Sequence, residues 1–116
     1  LSPSHDGYVL PKAKKLKTIG LSSAFRLAVA RRAVESDPLV SVSEWEASRQ
    51  GKACENGSWP DYPEVCTALK AAAPSEQIFY VCGTDHAIKC GLWEGMDDGV
   101  GVVVVPRAGE TAQPER

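Results

Sequence analysis

Three side chains in this sequence have the types and placement to hold a flat, polar ligand. Asp85 stands three residues past an apolar stretch, residues 78–82, that leaves through Gly83. Trp45 follows a shorter apolar stretch, residues 39–43, and Trp93 lies on the segment beyond Asp85. A carboxylate accepts two hydrogen bonds at once, as a ribose diol requires. An indole face stacks on a flat, electron-poor ring. In an open parallel sheet, groups that follow the carboxyl ends of strands gather on one edge, where such sheets bind ligands. The set therefore points to a nucleotide-like ligand. Trp45 is equally compatible with a rim aromatic that covers the core. Lys12, Lys14, Lys15 and Lys17 add a basic run. Lysine is a long point charge that reaches anions, so this run reads either as a solvated loop or as a phosphate contact.

Other chemistries are not supplied. The chain has no Walker loop, no Gly-rich dinucleotide fingerprint and no Ser-His-Asp order. His5 and His86 are isolated and read as surface groups, although His5 adjoins Asp6. Cys54, Cys66, Cys82 and Cys90 are irregularly spaced, without the close pairs that a zinc site needs. Cys82 ends an apolar strand and Cys66 falls on a helix face. The cysteines are thus expected to be buried free thiols, as in a reducing compartment.

These groups need a scaffold. Residues 1–20 read as a loop punctuated by Ser2-Pro3 and Gly7, with Pro11 excluding a helix across its middle. Ser22 and Ser23 can cap a helix. Phe25, Ala28, Val29 and Ala33 follow at helical spacing, predicting an amphipathic helix that packs on a sheet and ends near Asp37-Pro38. Residues 39–43 read as a short strand and residues 50–59 as a polar loop. Pro60 suits a first helical turn, and Val65, Leu69 and Ala72 predict a helix over 62–73. Strands are predicted over 78–82 and 100–105, the second apolar on both faces as an interior parallel strand must be. Strands alternating with helices predict right-handed crossovers and a parallel sheet.

Length and charge set the outer limits. At 116 residues the chain accommodates one domain, and 43% apolar with 24% charged residues is ordinary for a globular protein. A net charge of −2 argues against nucleic-acid binding as the main task. No apolar run approaches the roughly 20 residues that span a bilayer, so no membrane is expected as a partner. The chain opens with Leu1 and shows no signal peptide, which reads as a trimmed or partial chain of intracellular location, cytoplasmic or nuclear.

Taken together, the motifs resemble those of the nicotinamide/nicotinate mononucleotide adenylyltransferases, especially the eukaryotic type. Leu1-Ser2-Pro3 with Asp6-Gly7-Tyr8 is similar to that family's Ile-Ser-Pro-x-x-Asp-x-Tyr loop. Phe25-Arg26-Leu27-Ala28-Val29-Ala30 resembles its His-Arg-Val-x-Met-Ala helix. The segment 42–46 resembles Val-Asp-x-Trp-Glu-Ser, and Cys82-Gly83-Thr84-Asp85 resembles Cys-Gly-Ala/Ser-Asp. Leu92-Trp93 resembles Asn-Leu-Trp, and residues 105–109 resemble a strand ending in Arg-Ala-Gly, here Arg107-Ala108-Gly109. The matches are collinear over nearly the whole chain.

The resemblance implies an α/β, Rossmann-like parallel sheet with flanking helices, the nucleotidyltransferase fold, incomplete in this chain. It implies an enzyme that transfers the adenylyl group of ATP to nicotinamide or nicotinate mononucleotide, releasing pyrophosphate and forming NAD or deamido-NAD. Mg²⁺ would accompany the ATP without dedicated ligands in this chain. In the family, the positions matching Trp45 and Trp93 stack on the pyridine ring, with those matching Glu46 and Ser48 beside it. Gly83 and Asp85 face the adenosine side, while Leu92 and Arg107 belong to the matching motifs that border the site. The Tyr8 segment carries a phosphate-contacting lysine, for which Lys15 or Lys17 is favoured by proximity to Gly20-Leu21.

The chain also departs from the pattern. The segment between Tyr8 and Gly20 is longer, Ala47 replaces a serine, and the segment between Asp85 and Trp93 is shorter. The Gly-x-Phe-Asn-Pro-x-His-x-x-His motif and the Ile-Ser-Ser-Thr-x-x-Arg motif, which handle the ATP phosphates, are not in these 116 residues. Residues 1–116 are therefore expected to be a partial nucleotidyltransferase domain, inactive alone and with no catalytic residue of its own. A homo-oligomer stays open. So does a non-catalytic nucleotide-binding or interaction domain derived from the same family.

Overall fold

The first helix forms where the sequence argues against one. In the computed structural model, which describes residues 1–48, 59–96 and 99–110, α1 runs over Asp6–Lys15 with Pro11 inside it. A proline in a helix interior forfeits one backbone hydrogen bond and costs about 3 kcal/mol. Both ends of α1 are secured. At the start, His5 Nδ1 accepts the Gly7 N–H at 2.9 Å. At the end, Thr18 N–H donates to Ala13 O at 2.9 Å and Lys17 N–H to Lys14 O at 3.1 Å. That is a Schellman closure, and it puts Lys17 in the left-handed region at φ 55°. Asp6 at the positive end and Lys12, Lys14 and Lys15 at the negative end suit the helix dipole. Residues 6–15 are thus helix rather than the expected loop.

Helix α2, Ser23–Val34, starts as predicted: the Ser22 side chain accepts the Phe25 N–H at 3.3 Å. It ends short of Asp37-Pro38 and turns a different face inward. Phe25 and Val29 are 53% and 52% exposed, and Ala28 and Ala33 are exposed with them. Ser23, Arg26, Leu27, Ala30 and Val34 form the covered stripe. The helix is apolar on several sides, so periodicity alone did not fix its inner face. Leu27 and the bonded side chain of Arg26 did.

Residues 39–43 do not form a strand. Leu39 is 93% exposed, and its N–H is held by the Asp37 side chain in a turn. The strand signal survives only as one parallel-type bridge: Leu1 N donates to Ser41 O at 2.7 Å, and Ser43 N–H donates to Leu1 O at 2.8 Å. Helix α3, Trp45–Ser48, follows, with Glu46 and Ala47 buried. Trp59 lies against the start of α1, where a Cβ on Gly7 would come within 2.9 Å of its ring. The rest of the predicted loop over 50–59 lies outside the described residues.

Two compact units result, Leu1–Val65 and Cys66–Arg116, with helix α4, Tyr62–Ala72, running across the division. The second unit holds β1 (Phe79–Gly83), α5 (Thr84–Lys89), a 3₁₀ turn (Leu92–Glu94) and β2 (Gly101–Val105). The strands pair in parallel, Phe79 opposite Gly101 through Gly83 opposite Val105. The fold is α/β, a two-stranded parallel sheet with flanking helices, consistent with part of a nucleotidyltransferase-like fold. Helix α5 packs on both strands, and Ala87, Leu92 and Val100 are buried there.

The other face is open: Phe79, Val81, Val103 and Val105 are 58%, 60%, 43% and 55% exposed. Residues 100–105 are thus not the doubly covered interior strand that their composition suggests. Their β-branched content reports strand formation, and nothing among the described residues covers the second face.

Candidate functional site

The candidate residues fall on two clusters, one in each unit. In the first, the segment before α1 is fastened by Arg26. Its Nη2 donates to Asp6 Oδ1 at 2.7 Å, its Nη1 to Ser4 O at 2.7 Å and its Nε to Leu21 O at 2.9 Å. Ser23 Oγ donates to the other Asp6 oxygen at 3.2 Å. Burial pushes the Asp6 carboxyl up, but hydrogen bonds from Arg26 and Ser23 outweigh it and leave the group below its ordinary 3.8. Just beyond, on α1, Lys12 Nζ donates to Tyr8 Oη at 3.1 Å and lies 5.2 Å from the Tyr8 ring centroid. Lys15 and Lys17 are exposed.

Helix α3 carries the other candidates of this unit. Trp45 is half-buried. Glu46 is only 7% exposed and accepts Ser2 Oγ at 2.8 Å. Burial is the main influence on this carboxyl. The Ser2 hydrogen bond opposes it, Asp61 and Glu64 reinforce it, and the result lies above 4.5. Ser48 is exposed, but its hydroxyl donates at 2.6 Å to the carbonyl of Glu44, the residue just before α3.

In the second unit the level ends of β1 and β2 present Asp85 and Arg107 together. Arg107 Nη2 is 3.7 Å from Asp85 Oδ2, and the two side chains are 76% and 69% exposed. The contact is long and open to water, so a ligand can displace it at little cost. Gly83 caps α5, and a Cβ there would meet Asp85 Oδ1 at 3.2 Å. Thr84 Oγ1 is buried with no hydrogen-bond partner among the described residues. Trp93 lines a cleft of about 300 Å³ with Leu92, Gly95, Val102 and Val104. That volume is at the low end for a small-molecule site. Leu92 is itself 5% exposed and serves as core.

Some groups that shape these clusters were not singled out by sequence. Arg26 and Ser2 were visible as motif letters, but their partners are 20 and 44 residues away. His86, read as a surface group, meets Tyr80: its Nε2 is 3.2 Å from the phenol oxygen, with the rings edge to face. His5 is a helix cap. Among the described cysteines, only Cys66 is a buried thiol. Cys82 is half-buried and Cys90 exposed, which corrects the expectation for those two, and all three are free. Cys54 lies outside the described residues. Among the described residues no three His, Cys, Asp or Glu side chains gather as a metal site, and no helix is long and apolar enough to cross a membrane.

No family model matches the chain, and no solved structure matches it. Among curated proteins, a probable nicotinate-nucleotide adenylyltransferase of Trichlorobacter lovleyi is 30% identical over 78 residues, 67% of this chain and 33% of that protein. The chain thus spans about a third of the length of the curated relative it matches. That relative is bacterial, so the similarity points toward the adenylyltransferase family without distinguishing the eukaryotic type.

Proposed function

We propose that this chain carries the pyridine-mononucleotide side of an adenylyltransferase that makes NAD or its deamido form. The observation that carries the reading is the similarity to a protein named as a probable nicotinate-nucleotide adenylyltransferase, extending over two thirds of this chain. In the proposed reaction the 5′-phosphate of the mononucleotide attacks the α-phosphate of ATP. One P–O bond forms, the bond to the β-phosphate side breaks, and pyrophosphate leaves. Mg²⁺ arrives as part of the MgATP substrate. No protein nucleophile is needed, because such transfer rests on positioning and on stabilisation of charge.

Each cluster has a task in this reading. In the first unit Trp45 offers an indole face to the pyridine ring, with Glu46 and Ser48 near it; in the second unit Trp93 offers an aromatic wall to a flat ring from its own cleft. Lys15 or Lys17, on the segment that Tyr8 begins, meets the mononucleotide phosphate. Gly83 gives the backbone a close approach to the adenosine side, and the exposed Asp85 carboxylate accepts from a ribose diol. Arg107, 3.7 Å away, exchanges that carboxylate for ligand phosphate. The relative's name favours nicotinate over nicotinamide mononucleotide as acceptor.

Binding is tested by thermal shift of the 116-residue chain with nicotinate mononucleotide, nicotinamide mononucleotide and NAD. A ligand that binds only the native state raises stability by mass action, about 2.7 kcal/mol at a hundredfold excess over Kd. A folded chain that none of the three stabilises would count against the reading. A second measurement follows tryptophan fluorescence: the mononucleotide should quench it, and Trp45→Ala should remove part of that quenching. The chain alone is expected to form no NAD from ATP, since the phosphate-handling motifs of the family are not among its residues.

A further inference from the structure

Arg26 makes three side-chain hydrogen bonds in the first unit and has no place in the reaction just described. It is a helix residue with 18% side-chain exposure, and all three arms of its guanidinium are occupied. Two of its acceptors, Ser4 O and Asp6 Oδ1, lie immediately before and at the first turn of α1. The third, Leu21 O, lies just before α2. One planar fork therefore joins the entrance of α1 to the entrance of α2. A lysine cannot do this, because its single ammonium cannot span three acceptors held in fixed directions.

The helix so fixed is one that needs fixing. Pro11 has cost α1 a hydrogen bond, Gly7 in its first turn is a poor helix former, and its last turn closes on a strained Lys17. Little of α1 is buried besides Ala13. Its direction is set by the caps and by the Asp6 tether more than by packing. Tyr8 lies two residues beyond Asp6, and Lys12 reaches back to it by hydrogen bond and by a cation–π contact. Lys15 ends the same helix.

We propose that Arg26 is a positioning residue that, through Asp6 and Ser4, holds α1 so that Tyr8 and its lysines meet a ligand phosphate. This rests on the mononucleotide reading given above. Arg26 does not touch the ligand. It keeps the lysines of α1 on a short, defined arc instead of leaving them on a wandering segment, and so lowers the ordering cost that phosphate binding would otherwise carry.

The test compares nicotinate mononucleotide with nicotinate riboside, which differ only by the phosphate, titrated against the 116-residue chain and its Arg26→Gln and Arg26→Lys variants. The wild-type chain should prefer the mononucleotide. Arg26→Gln should cut that preference by about tenfold, roughly what losing one charge-assisted contact does, while riboside affinity holds. Arg26→Lys should fall between the two. Hydrogen exchange of amides 8–15 should rise in both variants, with those of β1 and β2 unchanged. A purely structural role would weaken both ligands alike and leave the preference intact. Preservation of the wild-type preference in Arg26→Lys, or in a folded Arg26→Gln, would overturn the proposal and spare the functional reading. A wild-type chain that binds neither ligand, or both equally, would overturn both. Should Arg26→Gln not fold, Arg26→Lys and Asp6→Asn carry the same comparison.

Discussion

The two units of this chain are held by different means. In Leu1–Val65, named polar contacts fix the segments: Arg26 to Asp6, Ser4 and Leu21, Ser2 to Glu46, and Leu1 to Ser41 and Ser43. Its buried apolar side chains are small or few, with Leu27 the largest. In Cys66–Arg116 a parallel strand pair and one packed helix supply the frame, and Ala87, Leu92 and Val100 fill it. Directional bonds set angles, and burial sets stability. The first unit should therefore respond to loss of single polar groups and to pH, and the second to loss of volume.

The largest effect expected is in the second unit. Leu92→Ala removes a side chain that is 5% exposed and should cost about 3 kcal/mol in chemical denaturation, the usual range for such a truncation. Exchange protection should fall in β1 and β2 and stay in α2. Loss spread evenly over both units would show that they do not differ as described.

Next comes Asp6→Asn in the first unit. It leaves Arg26 with a weaker acceptor and should cost about 1–2 kcal/mol near neutral pH. The pH dependence carries the sign. Asp6 lies below 3.8 when folded, so its contribution is complete above the unfolded value and disappears as pH falls through the folded one. An acid titration should show the wild-type chain converging on Asp6→Asn below pH of about 4. A constant gap down to strongly acidic pH would contradict the ion pair.

Lys17→Gly should gain about 1 kcal/mol, because glycine takes φ 55° without the penalty that lysine bears. A loss of stability would mean that the Lys17 side chain makes a contact worth more than the strain. The smallest effect belongs to Glu46→Gln. Glu46 lies above 4.5 when folded, so the folded state holds its proton more tightly than the unfolded state. Stability then declines as pH rises from 4.5 through the folded value. Glutamine keeps an acceptor for Ser2 without the buried charge, so the variant should be slightly more stable at neutral pH and indistinguishable in acid. Destabilisation at pH 7 would show that the carboxylate itself is required.

What the sequence could show divides along the same line. The aromatic-rich run at 79–83 and the β-branched run at 101–105 form strands on local grounds, and both appear within a residue of the prediction. The serine cap of α2 is likewise local. Residues 39–43 also carry apolar side chains, yet a strand requires a partner of matching length, and among the described residues only Leu1 bridges them. Helix α1 was hidden because proline argues against it. What rescues it is a histidine cap, a distant arginine and a C-terminal closure that lacks the usual glycine. Trp45, Asp85 and Trp93 were singled out by type and place alone. The Arg26 fork was not, because nothing in a sequence announces which acceptors three N–H groups will reach.

The register of the sheet has one more consequence. Phe79 stands opposite Gly101, and a Cβ on that glycine would come within 2.4 Å of the phenyl ring. The ring therefore lies over the neighbouring strand at Gly101, where no side chain stands. Among the described residues the sheet has two strands, so each keeps an outer edge, the kind of surface on which stray chains add. Phe79 covers the face of the pair at Gly101 and leaves that outer side as it is. Phe79→Ala should then show itself less in the melting curve than in faster hydrogen exchange of the Gly101 amide, which donates to Ile78 O at 2.9 Å.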